Sequence, residues 1–110
     1  MHTITKASEI DELFKEGRRV SHPALLVLFR NTPVGATPEG RVLFVAGKRL
    51  GHAVLRNRCK RVMRHAVLRA GGPWPGWDVA LIAREQTPAA PAPMLDTAVS
   101  RALESVGIVP

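Results

Sequence analysis

Between Lys48 and Arg69 the chain carries Lys48, Arg49, Arg56, Arg58, Lys60, Arg61, Arg64 and Arg69 without one acidic residue. Such a segment cannot lie in an interior, because unpaired charge in an apolar medium is too costly. Nor can it float free, because it also holds a periodic apolar set. With Val54 at zero and a turn of about 100° per residue, Leu55, Cys59, Val62 and Ala66 fall at roughly 80–140°, with Met63 near 180°. The spacing predicts a helix over Ala53 to Arg69, docked by that stripe. Leu55, Cys59, Val62 and Ala66 should be buried, and Arg56, Lys60 and Arg64 exposed.

The opposite face is unusual in its charge. Arg56, Lys60 and Arg64 fall at roughly 200–280°, and Asn57 and Arg61 at about 300–340°. Arg58, His65 and Arg69 lie on the other flank, and Val67 and Leu68 fall on the polar side. Like charges at i, i+4 each cost an isolated helix roughly 0.2–0.5 kcal/mol. A face serving only solubility would alternate signs and avoid that cost. Phosphates relieve it, because each one neutralised releases condensed counterions. Arginine outnumbers lysine on this helix, and a guanidinium can fork across phosphate oxygens or stack on bases. Asn57 can both donate and accept at a base edge or a sugar hydroxyl. The net charge of +7 and the pI near 11.1 point the same way. These features predict an RNA-binding protein.

The remaining sequence reads as one domain over 1–110. Ser8 and Asp11 resemble a capping box before Ile10, Leu13 and Phe14, and Gly17 ends that first helix. A short extended piece at Arg19-Val20-Ser21 follows. Apolar runs at Ala24–Phe29 and Arg41–Ala46, separated by a loop dense in turn formers, read as strands. Gly71-Gly72-Pro73 ends the basic helix, and Asp78–Ala83 reads as a buried strand. Thr87–Pro93 reads as a stiff connector. Leu95, Ala98, Val99, Ala102, Leu103 and Val106 mark a last amphipathic helix, stopped by Gly107. Trp74 and Trp77 read as loop packing. The order of elements predicts a mixed α/β (α+β) layer fold.

The single cysteine, Cys59, cannot form an internal disulfide, and no apolar run approaches the ~20 residues of a membrane span. A cytoplasmic protein with no membrane partner is expected. The four histidines are scattered, and neither paired carboxylates nor zinc-like spacing occurs. No catalytic side chain and no metal ligand is expected. A DNA-binding helix-turn-helix would need a helix close before the basic one, where a strand-like run and Gly51 stand instead, so DNA is not the expected partner.

The stretch Gly47-Lys48-Arg49-Leu50-Gly51-His52-Ala53-Val54-Leu55-Arg56-Asn57-Arg58-Cys59-Lys60-Arg61-Val62-Met63-Arg64 closely resembles the signature of the bacterial ribonuclease P protein component. Asp11 to Gly17 with Phe14, Val27-Leu28-Phe29, and Asp78 to Arg84 are similar to that family's first helix, aromatic-ended strand and last strand. The correspondence spans roughly 6–106. The chain departs from the family's usual pattern at Ile10, where an aromatic residue is usual, and at Gly47, where serine is usual. Its linker is rich in proline and alanine, and its last helix lacks a basic tail.

The resemblance implies a two-layer sandwich, with a four-stranded mixed sheet, about three helices on one side and a left-handed β-α-β crossover. It implies a protein subunit of a ribozyme that cleaves precursor tRNA endonucleolytically at the 5′ end, the RNA subunit with its Mg²⁺ performing the chemistry. Arg56, Asn57, Arg58, Lys60, Arg61 and Arg64 would bind the catalytic RNA. A cleft between this helix and the sheet, with Phe14, Phe29, Lys48 and Arg49 near it, would guide the 5′ leader. A ribosomal protein would share the size and basicity, but would leave leader processing unaffected.

Overall fold

The computed structural model describes residues 1–108, so the last two positions of the expected 1–110 domain lie outside the described residues. Three α-helices and four strands follow in the order α1 (Ala7–Glu16), β1 (Arg18–His22), β2 (Leu25–Asn31), β3 (Arg41–Val45), α2 (Ala53–Arg69), β4 (Trp77–Ala83) and α3 (Ala92–Ser105). The strands lie side by side as β1-β2-β4-β3. β2 is antiparallel to β1 and β4, while β3 and β4 are parallel. A parallel pair needs a long crossover, and the basic helix α2 supplies it. The four-stranded mixed sheet with three helices is as expected.

Strand alternation sorts the side chains onto two faces. Leu25, Val27, Phe29, Val42, Val79 and Leu81 point to one face, where α2 and α3 cover them with Cys59, Met63, Ala66, Val67, Leu95, Ala98, Val99 and Ala102. Leu28 and Ala80 point to the other face, where Ile4 and Leu13 join them. The first helix thus corrects the expectation that all helices share one side: α1 packs on the face opposite α2 and α3. A sheet covered on both faces explains why β2 and β4 read as nearly unbroken apolar runs.

Several local expectations change. α1 begins at Ala7 with Lys6 before it and no side-chain cap, so Ser8 lies inside the helix and forms no capping box with Asp11. What fixes the entry is the preceding segment: Thr3 bridges Val42 on the outer edge of β3, the Val42 N–H donates to the His2 carbonyl, and Ile4 is buried. The connector is anchored as well as stiff. It forms a 3₁₀ turn at Thr87–Ala89. There the buried Thr87 hydroxyl donates to the Ala24 carbonyl and accepts from the Arg84 N–H. Pro91 and Pro93 sit at the start of α3, where a missing N–H is harmless. Trp74 is buried, and Trp77 packs edge-on against Phe29 with ring centroids 6.2 Å apart. Gly40, at φ +88°, passes so close to the Trp74 carbonyl that a Cβ would collide with it.

Candidate nucleic-acid interface

α2 spans Ala53–Arg69, as its periodicity predicts. Its phase differs. Cys59, Met63, Ala66 and Val67 are fully buried, whereas Leu55 and Val62 are half-buried. On the same angular scale the buried sector runs from about 120° to 220°, rotated toward the Arg56 flank. Val67 therefore belongs to the core, which corrects its placement on the polar side. Lys60 and Arg64 are exposed as expected, and Arg56 is half-buried with its Nε enclosed and unpartnered. Burial pushes the Cys59 thiol pKa up, in keeping with a packing role.

The two flanks of α2 have different neighbours. On the α3 side, Arg58 Nε donates to the Pro88 carbonyl at 2.8 Å, and Arg69 pairs with Asp96 at 2.8 Å. On the β3 side, Arg64 lies over the ring of Phe44, its guanidinium carbon 5.4 Å from the centroid. Asn57, Lys60 and Arg61 are exposed between these flanks. Among the described residues, none of Arg56, Lys60, Arg61 and Arg64 has an acidic partner. The like-charge face is intact.

The second group of candidates does not meet as expected. Phe29 is 2% exposed and faces α2 and α3, locked against Trp77. Phe14 is half-buried on α1, on the opposite side of the sheet, with Ile10, Leu26, Leu43 and Ile82 around the small core cluster. Phe29 therefore forms no wall of a cleft with Phe14: alternate positions on β2 face opposite layers, and Phe29 falls on the covered one. What lies beside Phe14 is an apolar shelf of half-exposed Leu26, Leu43 and Ile82, on the α1 face of the sheet rather than between α2 and the sheet. Lys48 and Arg49 are exposed on a 3₁₀ turn after β3. A cavity of about 400 Å³ opens there at the ends of β3 and β4, lined in part by Val45, Arg49, Ile82 and Arg84. The turn leads into Gly51 at φ +129°, a conformation that glycine adopts without strain.

A buried ionic cluster fixes α1 over this shelf. Asp78, fully buried at the start of β4, accepts from Arg41 Nε at 3.0 Å, Arg41 Nη2 at 2.8 Å, Arg30 Nε at 3.1 Å and Thr32 Oγ1 at 3.2 Å. Arg41 also reaches Glu9 at 2.7 Å, and Arg30 reaches Glu12 at 2.9 Å, both on α1. The hydrogen bond from Arg41 lowers the Glu9 carboxyl pKa, and the bond to Asp78 raises that of Arg41. The cluster and Phe44 were not expected from the sequence. The run Val42-Leu43-Phe44-Val45 is apolar throughout, so no alternation marked Phe44 as facing α2.

Among the described residues no group of three or more His, Cys, Asp or Glu is placed to hold a metal ion, and no helix is long and apolar enough to cross a membrane. A family model described as Ribonuclease P matches residues 1–107. The ribonuclease P protein component of Symbiobacterium thermophilum is 37% identical over 101 residues, covering 88% of this chain and 84% of its own. That of Nocardioides sp. is 34% identical over 109 residues, covering 96% and 92%. In fold, the chain is similar to the solved RNase P protein of Staphylococcus aureus, with a TM-score of 0.79 at 22% identity over 98% of this chain and 97% of that one. For the RNase P protein of Thermotoga maritima the TM-score is 0.76, at 22% identity over 96% and 97%.

Proposed function

Because the chain belongs to the ribonuclease P protein family, as the protein component of the ribonucleoprotein that processes tRNA, we propose that it works by holding two RNAs at once. The observation that carries this reading is the α2 face, where Lys60, Arg61 and Arg64 are exposed without acidic partners among the described residues. That face, with Arg56, Asn57 and Arg58, docks on the folded RNA subunit. Its arginines fork on phosphates, and counterion release drives the contact. Hydrolysis is left to the RNA subunit and the Mg²⁺ that it binds, in the cytoplasm.

The 5′ leader of precursor tRNA is the second ligand. It lies along the shelf beside Phe14 and reaches Lys48 and Arg49 at the cavity. A half-buried aromatic ring next to a basic rim is what a single strand needs: a stacking surface and phosphate contacts. Ile10, where the family usually has an aromatic residue, gives this shelf an apolar wall that cannot stack.

The purified protein, free of RNA and of contaminating nuclease, is expected not to cleave precursor tRNA. Added to a bacterial ribonuclease P RNA at low Mg²⁺, it should stimulate cleavage at the 5′ end. Cleavage by the protein alone would overturn this reading. A second assay addresses the shelf. In assembled enzyme, Phe14→Leu should weaken precursor tRNA binding by roughly 5- to 150-fold, the equivalent of one lost base stack at about 1–3 kcal/mol. Mature tRNA, which has no leader, should bind as before. An unchanged ratio of precursor to mature affinity would remove Phe14 from the leader path.

A further inference from the structure

Phe44 sits on β3 at the edge of the sheet, half-buried among the residues that back α2. Its register partner is Leu81 on β4, and among the described residues the outer side of β3 is bridged only through Thr3 to Val42. The ring is not enclosed by the core. Its cover is Arg64, with the guanidinium 5.4 Å from the ring centroid. Arg64 makes no hydrogen bond or ion pair among the described residues, so this contact is the one feature that fixes where its charge points.

We propose that Phe44 is a positioning residue for the RNA-subunit interface, holding the Arg64 guanidinium over the β3 edge in the orientation that meets the phosphodiester backbone. The inference rests on the assignment of the α2 face to the RNA subunit. A guanidinium is planar, with its five donors around the rim and two open faces. Stacking one face on Phe44 leaves the rim free, so Arg64 can fork on a phosphate without giving up its platform. A free arginine must be ordered at the moment of binding, whereas one already stacked on a ring loses less freedom on meeting its ligand. Phe44 would thus strengthen assembly without touching RNA.

The position of Arg64 on the helix supports this. Arg56, Lys60 and Arg64 repeat at i, i+4, i+8 along one stripe of the helix. Arg56 is half-buried, Lys60 is exposed, and Arg64 is the one that sits on an aromatic ring. On the other flank, Arg58 and Arg69 are oriented by Pro88 and Asp96. Arginines on both flanks are therefore pre-oriented, and the device on the β3 flank is a ring instead of an oxygen.

The test measures assembly of the full chain with a bacterial ribonuclease P RNA, as affinity against salt concentration. Arg64→Ala should weaken assembly and lower the log–log salt slope by roughly 0.7–0.9, one phosphate contact. Phe44→Met keeps the volume and removes the ring, and should weaken assembly roughly two- to fivefold with the slope unchanged. Phe44→Tyr should restore the affinity. In an Arg64→Ala background, Phe44→Met should have no further effect. If Arg64→Ala leaves assembly untouched, the assignment of this face to the RNA subunit fails at Arg64. If Arg64→Ala weakens assembly but Phe44→Met does not, the positioning role alone is overturned. It is also overturned if Phe44→Met weakens assembly equally with and without Arg64, which is the signature of a purely structural residue. Thermal melts of Phe44→Met and Phe44→Tyr confirm that the comparison is made on folded protein.

Discussion

Replacing Asp78 with alanine is expected to destabilise the fold by about 3–5 kcal/mol, because it takes from two largely buried guanidiniums the buried carboxylate that they share. The loss is large against the total stability of roughly 5–15 kcal/mol typical of a domain. Asp78 is fully buried and receives four hydrogen bonds, from Arg41, Arg30 and Thr32. The side chains of Arg30 and Arg41 are only 12% and 10% exposed, so water cannot replace the lost carboxylate. Asp78→Asn keeps the shape but removes the charge and turns one oxygen into a donor, so it should be nearly as damaging. Glu12→Ala is the contrast. Glu12 is 56% exposed in its pair with Arg30, and losing it should cost no more than about 1 kcal/mol. Denaturant titration of the three variants checks the order. If Asp78→Ala cost no more than Glu12→Ala, the buried carboxylate would not be the centre of the cluster.

That cluster also marks where reading from sequence stops. Arg41 and Asp78 are 37 positions apart. Each looked like a lone charge at the start of an apolar run, and only the parallel register of β3 against β4 brings them opposite each other. The two faces of the sheet were hidden for a related reason. A strand covered on both sides shows no polar alternation, so although Leu28 and Phe29 must face opposite ways, nothing in Ala24–Phe29 says which of them faces α2. α2 itself was legible, because its ends, stripe and charge lie within one stretch. Its phase was off because the buried sector is no wider than the apolar stripe suggests but is rotated toward the Arg56 flank, which takes in Val67 and leaves Leu55 and Val62 half-buried. Arg56 adds to the error: its long apolar stem can cover core while its charge stays at the rim, so a wheel that treats every arginine as outward-facing is biased. Lys60, Arg61 and Arg64 lie outside that sector and were placed correctly.

Replacing Lys60, Arg61 and Arg64 together with alanine should lower the salt slope of RNA-subunit assembly by roughly 2.1–2.7, three contacts at 0.7–0.9 each. Extrapolated from 1 M to 0.15 M salt, a slope change of that size weakens binding by about 10²-fold. Stability should change little, because losing the Arg64–Phe44 contact, worth roughly 0.5–1 kcal/mol, is offset by two gains. All three side chains are exposed and without acidic partners among the described residues. Their removal relieves repulsion between positions 60 and 64, worth roughly 0.2–0.5 kcal/mol, and alanine is the best helix former. A variant that melts no lower than the parent but fails to assemble separates binding from folding, which a substitution at half-buried Arg56 could not do. The control removes the same amount of charge elsewhere, at Lys6 just before α1, Lys15 on α1 and Arg101 on α3. If assembly depends on the α2 face, the control should change the slope by much less than one contact. Equal slopes for the two triple variants would mean that the RNA subunit reads net charge alone, and the geometry of α2 would then carry no part of the recognition.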